Sequence, residues 1–202
     1  MEFGVHFASI VYPQPDRAVE FCRAAERVGF DFAVAVEHVV FPTDYASRYP
    51  YNPSGKLPGD HTGLWPDPLV WMTHVAARTE RMRFMTGVLI LPQRNPVVLA
   101  KQLATMDYMS GGRMELGIGV GWLREEFDAI GVPFEGRGRR TDEYIEALRV
   151  LWTDDDASYD GEFVNFAAIS CNPKPPQGSL PIIIGGHSEA AARRAGRLGD
   201  GY

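Results

Sequence analysis

The sequence predicts an α/β protein built as an incomplete (β/α)8 barrel of the TIM type. It holds about five βα units and the start of a sixth strand. Three observations carry this. Residues Met82 to Trp122 read as strand, helix, strand, with a crossover long enough for parallel pairing. The unit recurs along the chain, so a helix separates each pair of main strands. The strands are also lopsided: Met114, Leu116 and Ile118 alternate with Glu115, Gly117 and Gly119, and Ala33 and Ala35 alternate with larger residues. One bulky face and one small face suit helices outside and restricted room inside. A doubly wound sheet, covered on both faces, would be bulky on both.

The elements follow in order. Glu2 to Ala8 alternates, with Phe3, Val5 and Phe7 on one face, and predicts the first strand. Pro15 and Asp16 open a helix that reaches about Val28 and stops at Gly29; its stripe of Ala18, Phe21, Cys22, Ala25 and Val28 makes Cys22 a core residue. Asp31 to Val36 is the second strand, and Glu37-His38 stands where it ends. Residues 39–66 form a long irregular segment with prolines at 42, 50, 53, 58 and 66 and aromatics Phe41, Tyr45, Tyr49 and Tyr51, which predicts a packed lid. Asp67-Pro68 starts a helix to about Thr79. Then come strand 82–91, a helix from Pro96 to Met109 capped by Asn95, and strand 113–119. In that helix Val97, Ala100, Leu103 and Ala104 share a stripe that continues to Asp107. A short helical piece spans Glu125 to Ile130, and a longer helix runs from Arg139 to Trp152. Asp160-Gly161 signals a hairpin within 154–166. Pro181 to Ile184 is a buried strand, Glu189 to Leu198 a helix, and Gly201-Tyr202 the first step of another strand.

The whole of 1–202 is expected to form one partial barrel domain with 39–66 as its loop insertion. A net charge of −6 gives no electrostatic footprint for nucleic acid or an anionic membrane. No apolar run reaches the roughly 18 residues that a spanning helix needs. The N-terminus carries an acid and no basic region, so it reads as strand rather than signal peptide. Cys22 and Cys171 are expected to be free thiols in a reducing, cytoplasmic setting.

Several residues stand where chemistry sits in such a fold, at the C-terminal ends of strands. His38 is placed for general acid–base work, or is a structural histidine bonded to backbone. Gly87, inside a bulky strand, marks a close backbone approach or a packing accommodation. Gly117, Gly119 and Gly121 form GIGVG, whose spacing and following Trp122 exclude a dinucleotide loop. A wall without side chains remains, against which a flat ring could lie, and Trp122 either stacks on a ligand or fills core. Gly185-Gly186-His187-Ser188 precedes a helix, as an anion site at its N-terminus or as a plain turn. The histidines are scattered and no metal-binding spacing occurs.

Together these stretches resemble the bacterial luciferase-like superfamily, most closely its branch of coenzyme F420-dependent oxidoreductases. The match lies in VEH (residues 36–38), TGVLILPQRNPVVLAKQLATMDYMSGGR (86–113), GIGVGW with its EEF, RRTDEYIEALRVLW (139–152), and PIIIGGHSEAAARRAGRLGDGY (181–202). The resemblance implies an enzyme that binds F420, or alternatively FMN, at the strand ends and acts on a small-molecule substrate. His38 would be its catalytic group. Glu37, Gly87, Val88, Gly119, Gly121, Trp122, Gly185, Gly186, His187 and Ser188 would hold the cofactor. It also implies a non-prolyl cis peptide at Gly87-Val88. Luciferases proper have a phosphate-binding arginine where Val120 stands, which argues against their type of FMN site. The F420-dependent sugar-phosphate dehydrogenases have a catalytic glutamate where Trp122 stands. The family's barrels continue through two further strands. The chain is therefore expected to be a fragment or to complete itself as a homo-oligomer, and a non-catalytic truncated barrel is the reading from another class.

Overall fold

The computed structural model describes residues 1–59 and 61–202. In chain order the elements are β1 (Gly4–Val5), α1 (Ala8–Val11), α2 (Pro15–Val28), β2 (Phe32–Ala35), α3 (Pro68–Ala76), β3 (Arg83–Thr86) and β4 (Leu89–Ile90). After one 3-10 turn at Leu91–Gln93 come α4 (Pro96–Ser110), β5 (Met114–Gly119), α5 (Arg124–Ala129) and α6 (Arg137–Thr153). The chain continues with β6 (Ala157–Asp160), β7 (Asn165–Ile169), β8 (Ile182–Ile184) and α7 (Glu189–Leu198).

The main sheet is parallel throughout. β1 pairs with β2, β2 with β3, and β3 with β5. β4 and β8 also pair with β5. β3 and β4 are two halves of one strand, parted at the cis peptide between Gly87 and Val88. Gly201 bridges Ile183 in parallel, which begins a sixth strand. Spatial order thus repeats sequence order. A doubly wound sheet reverses its order at a switch point; this one does not, and right-handed crossovers in one direction put the crossover helices α2, α3, α4, α6 and α7 on the same face. Consecutive helices accordingly pack side by side, α2 on α3, α3 on α4, α4 on α6 and α6 on α7. This is an incomplete (β/α) barrel. The antiparallel pair β6–β7 lies outside it, its tip held on α6 by Glu143, whose carboxylate accepts the N–H groups of Glu162, Phe163 and Val164 at 2.7–2.9 Å.

The core lies between sheet and helices. Met114, Leu116 and Ile118 of β5 are buried against a layer that includes Leu99, Leu103, Leu148 and Trp152. The Trp152 indole N–H donates to Ala100 O at 3.1 Å, so its one polar atom is satisfied inside. Cys22 is fully buried and its thiol is pushed up to about 12, first by burial and then by Glu26. Neither cysteine is in a disulfide. Asp107 is buried at the end of the α4 stripe and accepts the Met114 N–H at 3.0 Å. The N-terminal ends of the strands are tied by Arg113, which donates to Met82 O, Thr79 Oγ1, Ala76 O and Ser110 O at 2.7–3.2 Å.

The first strand is shorter than its alternation predicts. Phe7 takes a left-handed φ of 61° and α1 begins at Ala8, so only Gly4 and Val5 are in register with Phe32 and Ala33. Phe3 and Phe7 are half exposed at this sheet edge. The pattern was strand-like, but it has a partner strand on one side only among the described residues.

Gly117 is required by close approach. A Cβ there would sit on the Thr86 carbonyl oxygen of the neighbouring strand, while Thr86 Oγ1 donates to Gly117 O at 2.7 Å. Gly117→Ala is expected to destabilise the chain by about 1–3 kcal/mol or more, because backbone must move. Urea denaturation checks this; an unchanged midpoint would refute the close approach.

Candidate functional site

The site forms where the C-terminal ends of β2, β4, β5 and β8 meet the 39–66 loop. His38 follows β2 and its side chain is 7% exposed. Its Nδ1 lies 3.1 Å from Oε2 of Glu126, which is fully buried on α5. The other oxygen of Glu126 accepts the Val39 N–H at 2.6 Å. Around the imidazole stand Phe41, Trp65 and Trp122, with ring centroids 5.1, 5.4 and 6.0 Å away.

The loop packs as a lid. Tyr45 and Tyr49 meet Trp122 at 5.6 and 5.1 Å, Tyr49 meets Tyr51 at 5.4 Å, and Tyr51 meets His187 at 4.6 Å. A chain of aromatic contacts therefore runs from the end of β2, over the end of β5, to the turn after β8. Each contact of this kind contributes about 0.5–1.5 kcal/mol beyond its buried area. Glu125 grips the loop backbone, with Oε1 accepting the Ala46 N–H at 2.7 Å and the Ser47 N–H at 3.1 Å. Burial alone would raise its carboxyl. Hydrogen bonds from Ser47 and Ala46 outweigh this and hold it down at about 2, against an ordinary 4.5.

A testable consequence follows from that sign. A depressed carboxyl contributes its stability in full above the unfolded value and loses it as pH falls through about 2. The grip therefore persists through mildly acid conditions. Glu125→Ala is expected to speed hydrogen exchange at the Ala46 and Ser47 amides about 10–100-fold at neutral pH, the worth of a hydrogen bond to a charged group. Unchanged exchange at both amides would refute the grip.

Val88 sits over a floor of glycines. A Cβ at Gly119 would lie 2.7 Å from Val88 Cγ2, and one at Gly185 would lie 2.5 Å from Val88 Cγ1. A Cβ at Gly87 would collide with Val34 and lie 3.4 Å from His6 Nε2. Gly121 turns with a φ of 78° against Phe127 and Ile90. Of the GIGVG glycines, Gly119 thus makes room for Val88, Gly117 for the Thr86 carbonyl, and Gly121 for Phe127 and Ile90.

The turn after β8 divides its work. The Gly185 N–H is committed to Ile118 O at 2.8 Å, extending the ladder. Gly186 has a φ of 125°, and its carbonyl accepts the Tyr202 hydroxyl at 2.5 Å. Ser188 caps α7, its Oγ accepting the Ala191 N–H at 3.1 Å. His187 is exposed and lies against Tyr51.

Of the residues singled out in the sequence, His38, Val88, Gly119, Gly121, Trp122 and the 185–188 turn converge here. The Glu37 side chain does not join them. Its buried carboxylate pairs with Arg94 and accepts the Ile90 N–H at 2.6 Å, and Arg94 in turn reaches Asp67, the α3 cap, at 2.7 Å. Glu37 fixes the broken strand from behind. Glu126 and Trp65 were missed. Glu126 falls on the buried stripe of Leu123 and Phe127, and a carboxylate at a core position was the available signal. No group of three or more potential metal ligands occurs among the described residues. Grooves of about 520 Å³ between α3 and α4 and about 460 Å³ beside α6 lie on the helix layer and touch none of these residues.

The sequence profile described as luciferase-like monooxygenase matches residues 1–202. The chain belongs to the luciferase-like monooxygenase family. An uncharacterized protein of Mycobacterium tuberculosis is 35% identical over 184 residues, covering 90% of this chain and 65% of that one. The FMNH(2)-dependent dimethylsulfone monooxygenase of Pseudomonas putida is 34% identical, covering 91% of this chain and 47% of its own length. The F420-dependent glucose-6-phosphate dehydrogenase of Segniliparus rotundus is 33% identical, covering 93% and 52%. This luciferase-like chain thus spans about half to two thirds of the length of these relatives. Among solved structures, an F420-dependent secondary alcohol dehydrogenase superposes with a TM-score of 0.77 at 22% identity, covering 98% of this chain and 56% of its own. That likeness shows the fold. Family relatives thus include both F420-dependent and FMN-dependent enzymes. No helix among the described residues is long and apolar enough to cross a membrane.

Proposed function

We propose that the chain is an oxidoreductase that moves a hydride between F420 and a small organic substrate, with His38 handling the proton. The observation that carries this is the imidazole held by a buried carboxylate beside a glycine-floored, aromatic-lidded strand end. The donor set fits a flat ring with a phosphate tail. Val88, seated on Gly119 and Gly185, and Trp122 offer an apolar backing, and Gly186, His187 and Ser188 lie at the start of a ten-residue helix, whose first N–H groups suit a phosphate. When bound, the deazaflavin supplies two-electron hydride chemistry. The protein residues orient it, exclude water with the 39–66 lid, and accept or donate the substrate proton at His38.

The second reading is a monooxygenase that uses reduced FMN and oxygen, favoured by the 34% identity to the Pseudomonas putida enzyme. Val120 stands where the resemblance places the luciferases' phosphate-binding arginine, which counts against a luciferase-type FMN site. Titration of the pure protein with F420 and with FMN, followed by quenching of tryptophan emission, separates the two. Saturation by F420 alone supports the first, and saturation by FMN alone supports the second. Failure of both at millimolar levels leaves a non-catalytic barrel. We further propose that the chain self-associates, because the β1 edge exposes Phe3 and Phe7; a sharp monomeric sedimentation boundary at micromolar concentration would refute that.

A further inference from the structure

We propose that Glu126 is a positioning residue that holds His38 in its Nδ1–H tautomer and ties that choice to the docking of the lid at Val39. The inference rests on the reading of His38 as the proton-handling group and deepens it.

A carboxylate only accepts hydrogen bonds. One oxygen of Glu126 takes the Val39 N–H at 2.6 Å and the other lies 3.1 Å from His38 Nδ1. The ring must therefore donate through Nδ1, which in the neutral imidazole leaves the lone pair on Nε2. That is the form in which an imidazole acts as a base through Nε2. His38 and Val39 are consecutive, so a single side chain grips the ring and the first backbone amide of the lid. Glu126 is itself rigid: it is fully buried between Leu123 and Phe127, which belong to the core. Lid docking and tautomer then share one anchor, and a lid that leaves at Val39 draws the neighbouring His38 ring away from its acceptor.

Glutamine at this position cannot serve both partners. It has one acceptor oxygen and one donor nitrogen. If the oxygen keeps the Val39 N–H, the amide nitrogen faces Nδ1, and the ring must move its proton to Nε2 to accept it. A base becomes a donor with no change of shape. If the oxygen turns to the ring, the Val39 N–H is left facing a donor. The first outcome is expected, because the ring has a second tautomer and the backbone amide does not.

The test is ring 15N spectroscopy at a pH where the imidazole is neutral, with His38 assigned by the loss of its signals in His38→Gln. Wild-type protein is expected to show the proton on Nδ1. Glu126→Gln is expected to show it on Nε2, with hydrogen exchange at the Val39 amide unchanged and turnover lowered about 10²–10⁴-fold, as for a misplaced tautomer beside a carboxylate in other enzymes. Retention of Nδ1–H with a newly exposed Val39 amide would also support the shared anchor. A wild-type ring protonated on Nε2, or a glutamine variant that keeps both the tautomer and the Val39 protection, overturns the proposal. Should the variant fail to fold, the wild-type spectrum alone decides. The ring spectrum needs no cofactor, so a wild-type protein inactive with F420 and FMN would count against the oxidoreductase reading without touching this result.

Discussion

His38→Ala is expected to lower cofactor-dependent turnover by about 10²–10⁴-fold, the usual worth of a positioned acid or base. Cofactor affinity should change little, because the imidazole touches Phe41, Trp65, Trp122 and Glu126 and contributes no part of the glycine floor. Alanine also strands a buried carboxylate, which costs about 1–3 kcal/mol in its own right. His38→Gln is the control. Its amide can donate to Glu126 and so keep the fold, but it cannot take a proton at neutral pH. Single-turnover rates for the two variants, read beside their melting temperatures, separate chemistry from stability. Full turnover in either variant would remove His38 from the mechanism.

Glu37→Ala is expected to destabilise the chain by about 3–5 kcal/mol, because it leaves Arg94 without its buried partner. For a chain of this size that is a fall in Tm of about 6–20 °C. The effect is structural in origin but reaches the site. Glu37 accepts the Ile90 N–H just beyond the cis bond, and Arg94 carries the link on to Asp67 at the start of α3. Replacing both members, as in Glu37→Leu with Arg94→Met, should recover much of the loss, since an apolar pair of similar volume avoids the cost of burying charge. Calorimetry on the two singles and the double forms the cycle. Additive losses would show that the two residues do not act as a pair.

Much of this architecture was legible because each element has local punctuation. Asn95 accepts the Val97 and Val98 N–H groups and Gly111 takes a φ of 73°, so α4 begins and ends where its residues say. Asp67 does the same for the start of α3, which ends at Ala76 rather than at about Thr79. The Asp160-Gly161 signal marked the hairpin, although Asp160 pairs with Asn165 and the turn occupies residues 161–164. The first strand was misjudged because its length depends on neighbours rather than on alternation. The candidate site was legible only as positions that admit no Cβ, at Gly87, Gly119 and Gly185, each of which faces a valine. It was illegible where two distant side chains meet. Glu126 lies 88 residues from His38, and no spacing rule joins a strand end to a short helix. Glu37 was misplaced among the ligand-facing residues for the same reason: adjacent residues at a strand end point to opposite sides, and its neighbour's role does not transfer to it.

The contact of Val88 with Gly119 and Gly185 also constrains the order in which this chain can drift. Alanine at 119 collides with a valine methyl while residue 88 is valine, but residue 88 can shrink to alanine with both glycines in place. Once 88 is small, the methyl that blocked 119 is gone. Alanine at 185 gains less, because Ile118 O still lies 3.2 Å from its Cβ. The route through 88 therefore meets a smaller steric barrier at 119 than the reverse route. A mutational library that samples 119 before 88 should recover fewer folded clones than one that samples 88 first.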